Sequence, residues 1–416
     1  MKFFPRLFVF VLLLLFSYVS VTQAAPMFAR QYGLSCVTCH TAFPELNDFG
    51  KQFADNNYRL SNWKDSTVKT GDDALALPAY IPIAVRAQAF VQARDAEAVD
   101  VVTGETTEAD SDFQAPYLIK ILSSAPLSDH ISYYFYGIFA EKGGNGEAII
   151  EDAWFSHDDV FGSGVGLMLG QFQVSDLMFP RETRLTFQDY MVYRMAGITY
   201  ERGVIFDRGF GVVDVGIGLV NGNGIEENFT INSPGYRRSD HLFDNDNGKA
   251  AFIRIGADIG PVATGLFAYA GEQKNAVGDA GTQSGTRDTD KNIVGLDVSG
   301  KLGAQTRWFA QILWNEWDGF IDPNINYKWF GMFAGANYVA ANNWSYSLLY
   351  NYADGKDFDN TDTVFEGIDI NSLSFNASYY FMRNVKGVLE LNYDFLDEEA
   401  QTGTYYTGHL TKENYF

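Results

Sequence analysis

The sequence predicts an all-β protein, an antiparallel transmembrane β-barrel of sixteen strands behind a small N-terminal segment. Three observations carry this. From about residue 80 onward, segments of roughly ten residues alternate apolar and polar side chains, the strand period of two. The connections between them alternate long and short. Aromatic residues reach 16%, with 34 Phe, 24 Tyr and 7 Trp, which suits a barrel with interfacial girdles.

Composition narrows the alternatives. The chain has 416 residues, 46% hydrophobic and 20% charged, so there is apolar material for a core and disorder is excluded. Two cysteines cannot build a disulfide scaffold. Asp and Glu number 52 against 30 Lys and Arg, a net charge of -22, and nucleic acid is not an expected partner.

The first element is an export signal over residues 1–24. Lys2 and Arg6 supply the positive start, Leu7 to Phe16 the apolar run, and Ala24 the small residue at the cut. The run is too short for a spanning helix, which needs about 20 residues.

The second element, residues 25–64, contains both cysteines in Cys36-Val37-Thr38-Cys39-His40. This is the C-x-x-C-H pattern of covalent c-type haem attachment, in which two thiols meet the vinyl groups and the next histidine ligates the iron. A thioredoxin-like site needs a βαβ context that is missing, and zinc needs two further ligands. A structural disulfide is the other option in an oxidising compartment. Pro44 is expected to open a helix with Leu46, Phe49 and Phe53 on one apolar face, although Gly50 weakens it. Forty residues seldom build a core alone, so this segment should fold around its cofactor and lean on the rest of the chain.

Residues 65–79 read as a linker and 80–416 as the barrel. Strands are expected near 80–94, 113–123, 130–142, 148–157, 163–173, 189–201, 209–220 and 250–258. The remaining eight are expected near 262–271, 292–301, 305–316, 328–339, 344–353, 370–381, 385–395 and 402–416. Long connections lie near 95–112, 174–188, 221–249, 272–291, 317–327 and 354–369, each after an odd-numbered strand. The N-terminal segment therefore shares an end with the short turns, the periplasmic end of an outer-membrane barrel. The chain finishes on Phe416, as such barrels do, although Lys412 and Asn414 fit the alternation poorly. A soluble β-sandwich would lack this asymmetry of loop length.

The stretch Ala25-Pro26-Met27-Phe28-Ala29-Arg30-Gln31-Tyr32-Gly33, with Cys36 to His40, Phe43-Pro44-Glu45-Leu46 and Phe49-Gly50, resembles the start of the fused monohaem cytochrome–porins. These are outer-membrane c-type cytochromes of iron-oxidising bacteria. Tyr32 stands where that family usually has Thr. The resemblance implies one covalently bound haem c on Cys36 and Cys39, with His40 on its iron. It further implies electron transfer from extracellular Fe(II) to a periplasmic acceptor, a soluble cytochrome or copper protein, in a chain surrounded by outer-membrane lipid. Other expectations are a conduit for another donor or for outward flow, and a passive porin whose haem segment is only a plug.

A single haem serving both sides of an apolar band roughly 25 Å tall should sit inside the barrel. A thioether would raise its potential, so Met178 is the leading distal ligand and Met27 the second. Met178 lies in a long loop that could fold into the lumen, where Arg181 and Arg184 would pair with propionates. His130, His157, His241 and His409 are further ligand candidates. Acidic clusters at Glu105, Glu108, Asp110 and Asp112, at Asp240, Asp244 and Asp246, and at Asp354, Asp357, Asp359 and Asp362 would concentrate cations at the outer mouth. Asp244-Asn245-Asp246-Asn247-Gly248 is only a fragment of a calcium loop, without its bidentate Glu.

Overall fold

The computed structural model describes residues 27–60, 67–72, 75–78, 82–95, 97–99, 106–108, 111–139, 149–180, 184–222, 248–274, 288–320, 322–340, 342–359, 369–382, 385–395 and 412–415. The expected export signal and its cut lie outside them. The barrel opens with β1 (Ile83–Asp95), β2 (Ser111–Pro126), β3 (Ile131–Ile138) and β4 (Ile149–His157). Then come β5 (Gly166–Gln173), β6 (Tyr200–Phe210), β7 (Val213–Val220) and β8 (Ala250–Ile259). The next four are β9 (Val262–Lys274), β10 (Asp288–Leu302), β11 (Thr306–Asp318) and β12 (Asn326–Val339). The last are β13 (Trp344–Asp354), β14 (Ile370–Met382), β15 (Val385–Asp394) and β16 (Lys412–Tyr415).

Each strand pairs antiparallel with the next, and β16 pairs with β1 through Lys412↔Asp95 to Tyr415↔Gln92, so the sheet closes as expected. The closing strand is short among the described residues, pairing with β15 at Glu390↔Tyr415 and Leu391↔Asn414 and with β1 over four residues; a closed sheet is what lets strands cross lipid. Side-chain placement is inside-out. Leu169, Phe206, Ile217, Leu266, Val294 and Trp314 are exposed on the outer wall, while Ser347, Asn351, Ser374, Asn376 and Glu390 are buried on the inner one. A soluble sandwich buries the opposite set, and this band faces lipid. Short turns follow even-numbered strands, at residues 211–212, 260–261 and 303–305, with Gly211, Gly260 and Gly303 at positive φ. Long connections follow odd-numbered strands.

One strand departs from expectation. Residues 189–201 were expected as the sixth strand, whereas β6 begins at Tyr200 and covers the turn expected at 202–208. Within 189–199 the chain forms a short helix, Met191–Met195, inside the lumen. Met191, Val192, Tyr193 and Met195 are all buried. Lumen packing makes both faces of this stretch apolar, and that is why its sequence imitates a strand. The rest of the connection after β5 also folds inward, as the Met178 expectation required. Its N–H groups at Phe187 and Gln188 donate to the Glu390 carboxylate at 2.7 and 2.8 Å. Asn351 joins it twice, accepting from Met191 N–H and donating to the Asp189 carbonyl. Tyr190 stacks on Phe333 at 4.3 Å. Gly331 permits the approach, because a Cβ there would meet Val192 Cγ1 at 2.4 Å.

The region expected as a linker contains a small ladder, Thr67–Asp72 against Leu75–Pro78, outside the barrel sheet. The lipid-facing assignment is checked by Leu266→Arg. In refolding titrations in vesicles this substitution is expected to cost up to about 2–4 kcal/mol, falling toward zero if the position lies near an interface.

Candidate functional site

The N-terminal segment is built from three helices: α1 (Met27–Tyr32), α2 (Cys36–Cys39) and α3 (Asp48–Asp55). Gly33, at φ 64, ends α1. The single turn of α2 sets Cys36 and Cys39 at i and i+3, on one side. Neither thiol is in a disulfide, and both are half-buried. Burial raises the Cys39 thiol above its ordinary value, and Cys36 adds to that. After Cys39 the chain becomes extended, His40–Ala42 against Glu45–Leu46.

The His40 ring is fixed by its backbone neighbours. Its Nδ1 lies 3.1 Å from the Pro44 carbonyl. A carbonyl only accepts, so Nδ1 carries the hydrogen and Nε2 keeps a lone pair. Burial lowers the affinity of His40 for a second proton, against the pull of the Pro44 and Glu45 backbone. A neutral imidazole with Nδ1 hydrogen-bonded to a carbonyl is the form that binds metal through Nε2.

Asn47 and Gly50 hold this motif against α3. Asn47 Nδ2 donates to the carbonyls of Val37 and Thr38, while its Oδ1 caps α3 at the Gly50 N–H, 2.9 Å away. A Cβ on Gly50 would lie 2.1 Å from the Cys39 carbonyl oxygen. Gly50 therefore allows the close approach rather than merely weakening the helix. Two expectations change. The helix starts at Asp48, not near Pro44, because Pro44 sits in the turn between the two short strands. Leu46, Phe49 and Phe53 do not share a buried face: Phe53 packs edge-on against Phe28 and Tyr32, whereas Phe49 is exposed.

Asn57, Tyr58 and Arg59 dock the segment into the barrel at its short-turn end. Asn57 and Tyr58 both have positive φ, 56 and 59, which for Tyr is strained. That turn drives both side chains into the wall. Asn57 Nδ2 donates to the His130 carbonyl at 3.0 Å, and its own carbonyl accepts from Ser132 Oγ at 2.8 Å. Tyr58 stacks on Tyr134 at 6.0 Å and on Trp154 at 6.1 Å, and burial pushes its phenol up. Arg59 pairs with Asp158 at 2.6 Å. Across the mouth, Lys301 pairs with Asp48, Asn337 Nδ2 donates to Glu45 at 2.6 Å, and Arg30 donates to the Ile83 carbonyl at 2.6 Å. Burial raises the Glu45 carboxyl, against Arg307, Asn337, Lys51 and Lys301.

The other candidate residues separate. Met178 is buried in the lumen core with Phe179, Tyr190 and Phe333. Met27 is buried at the start of α1. The His40 ring meets the Phe43 ring at 5.1 Å. His130 and His157 stack at 5.5 Å, with Nδ1 of His130 2.7 Å from Asp158 and Nδ1 of His157 accepting from Asp159 N–H. Arg184 pairs with Asp189 and donates to the Thr186 and Phe187 carbonyls, so it braces the lumen segment. Arg181, His241, His409, Glu105, Asp110, Asp240, Asp244, Asp246 and Asp362 lie outside the described residues. Asp354 pairs with Lys356, and Asp357 accepts from the Lys328 N–H. Among the described residues no group of three or more His, Cys, Asp or Glu side chains could hold a free metal ion.

The surroundings of the Cys-x-x-Cys-His loop suit an apolar cofactor with polar edges. Val37, Phe43 and Phe49 expose apolar surface around the motif. Both polar atoms of the buried Gln31 amide, on α1, have no hydrogen-bond partner among the described residues.

No family model and no curated protein matches the chain. Solved structures do. The outer membrane channel DcaP of Acinetobacter baumannii is 13% identical with a TM-score of 0.51, over 80% of this chain and 95% of that one. The anion-selective porin of Comamonas acidovorans is also 13% identical, with a TM-score of 0.49, over 80% and 98%. The likeness to DcaP shows the fold, a porin-type β-barrel.

Two substitutions and one pH profile follow from the docking contacts. Tyr58→Ala removes the stack and is expected to cost roughly 3 kcal/mol of docking, read as a rise in single-channel conductance. Gly50→Ala is expected to detach α3 from the Cys39 carbonyl and expose the 27–60 segment to limited proteolysis. The raised Glu45 carboxyl binds its proton more readily docked than free, so its contribution is full below its ordinary value of 4.5 and fades as pH rises through the raised value. Glu45→Gln is expected to flatten that decline in a conductance-against-pH series.

Proposed function

We propose that this chain is an outer-membrane c-type cytochrome, accepting electrons from extracellular Fe(II) and delivering them to a periplasmic cytochrome or copper protein. The inside-out barrel of porin type belongs in a bacterial outer membrane. The observation that carries the redox reading is His40: a neutral imidazole with Nδ1 engaged on the Pro44 carbonyl, directly after two cysteines that share one helical turn without a disulfide between them.

Cys36 and Cys39 would hold the haem through thioethers, and His40 would ligate it through Nε2. Bound there, haem supplies a one-electron centre whose potential is tuned by its axial ligands and burial. The protein does the remaining work. Asn47 and Pro44 fix the orientation of the ligating loop. Asn57, Tyr58 and Arg59 seat the segment in the mouth, and the short-turn position of that mouth supports entry from the periplasm. The described part of the segment after β5 packs inside the lumen on Glu390 and Asn351. Met178 and Met27 remain our two candidates for the distal ligand. Described acidic residues at the long-loop end, Asp354, Asp357 and Asp359, support a cation donor outside.

A passive solute porin, its N-terminal segment a plug, is the second reading, and the porin-type fold favours it. The two readings separate in one experiment. Mixing the oxidised protein in detergent with Fe(II) is expected to yield the reduced haem spectrum within seconds, and Cys36→Ala/Cys39→Ala is expected to abolish it. No reduction, with large conductance in the wild type, would support the porin.

A further inference from the structure

The loop from His40 to Leu46 lies against barrel side chains that carry charge. The Phe43 carbonyl accepts from the Tyr380 hydroxyl at 3.0 Å and from the Lys386 ammonium at 3.2 Å. Tyr380 and Lys386 face each other across β14 and β15. From β1, the Arg86 guanidinium stands 5.3 Å from the centroid of the Phe43 ring. That ring meets the His40 imidazole at 5.1 Å. Two cations and a hydroxyl from three different strands thus converge beside the motif.

Such a set is costly to assemble, because like charges repel and each loses hydration at the mouth. It is also a scarce resource here, since acidic residues outnumber basic ones by 52 to 30. Glu390, four residues from Lys386 on the same strand, is already engaged by Asn376 and two N–H groups of the lumen segment. The Arg86 guanidinium and the Lys386 ammonium, which keeps two N–H groups beyond the one given to the Phe43 carbonyl, form a donor set for carboxylates, and the Tyr380 hydroxyl holds that carbonyl beside them.

We infer that Arg86 and Lys386 form the carboxylate-binding edge of the cofactor site, with Tyr380 holding the adjacent Phe43 carbonyl, so that the barrel wall supplies the charge environment of the haem. The inference rests on the proposed function, since the carboxylates are taken as the propionates of a haem on Cys36 and Cys39. Arg184, a candidate for that role from the sequence, is engaged by Asp189 instead.

The test is a spectroelectrochemical titration of the full chain in detergent, comparing wild type with Arg86→Met, Lys386→Met, Arg86→Lys and Lys386→Arg. Removing a positive charge favours the oxidised form. Each Met variant is expected to raise the oxidised-to-reduced ratio at a fixed potential by about tenfold, which is 59 mV for a one-electron couple. The Lys and Arg exchanges should stay within about twofold. If either Met variant fails to fold, the other carries the test. Haem-loaded, heat-modifiable variants with an unmoved potential would overturn the inference while leaving the proposed function intact. A purely structural role at Phe43 would overturn it too, and would show as charge-keeping exchanges that shift the potential as far as the Met variants do. Absence of covalent haem from the wild type would overturn both.

Discussion

The account depends on one seat, where the Asn57-Tyr58-Arg59 turn enters the barrel wall. A segment as short as residues 27–60 buries too little apolar surface to be stable alone. Its own core is a small aromatic group, Phe28, Phe53 and Tyr58. Tyr58 belongs equally to the wall, through Tyr134 and Trp154. The strained backbone at Asn57 and Tyr58 persists because both side chains are over-determined by barrel partners. Detaching this turn would release the Cys-x-x-Cys-His motif from the charges that surround it.

The inner wall has two tasks, and its composition reflects them. Near the short turns it presents the groups that receive the N-terminal segment, such as Asn337 for Glu45 and Lys301 for Asp48. Farther along, Asn351 and Glu390 receive the segment that follows β5, and Asn376 steadies Glu390 from the wall. Asn337, Asn351 and Glu390 thus each have a specific partner from one of the two inserted pieces. This is how a polar lumen can be filled without losing hydrogen bonds.

Much of this was legible in the sequence. Strand positions follow from period two, since one face of every strand meets lipid and the other a polar interior. The alternation of short and long connections placed the N-terminal segment at the correct end. The spacing of Cys36, Cys39 and His40 singles them out in the sequence, and the fold keeps the two cysteines on one turn with His40 directly after it. The sixth strand was misread because Met191, Tyr193 and Met195 are apolar for reasons of lumen packing, which a strand pattern cannot distinguish. Asn47, Gly50 and Asn57 were missed because their partners lie elsewhere: Cys39 for Gly50, and β3 and its turn for Asn57. The Asn-Asn-Tyr-Arg run at residues 56–59 was the available signal, a polar turn around one aromatic. Arg86 and Lys386 were hidden by the same distance, since strands far apart in sequence meet only when the barrel closes.

The central claim is a single haem bonded covalently to Cys36 and Cys39. Intact-mass spectrometry of the full chain purified from outer membranes measures this most directly. The account requires one haem c adduct per polypeptide, lost when both cysteines are replaced by alanine. A mass equal to the bare polypeptide, with both thiols free or joined in a disulfide, would contradict it.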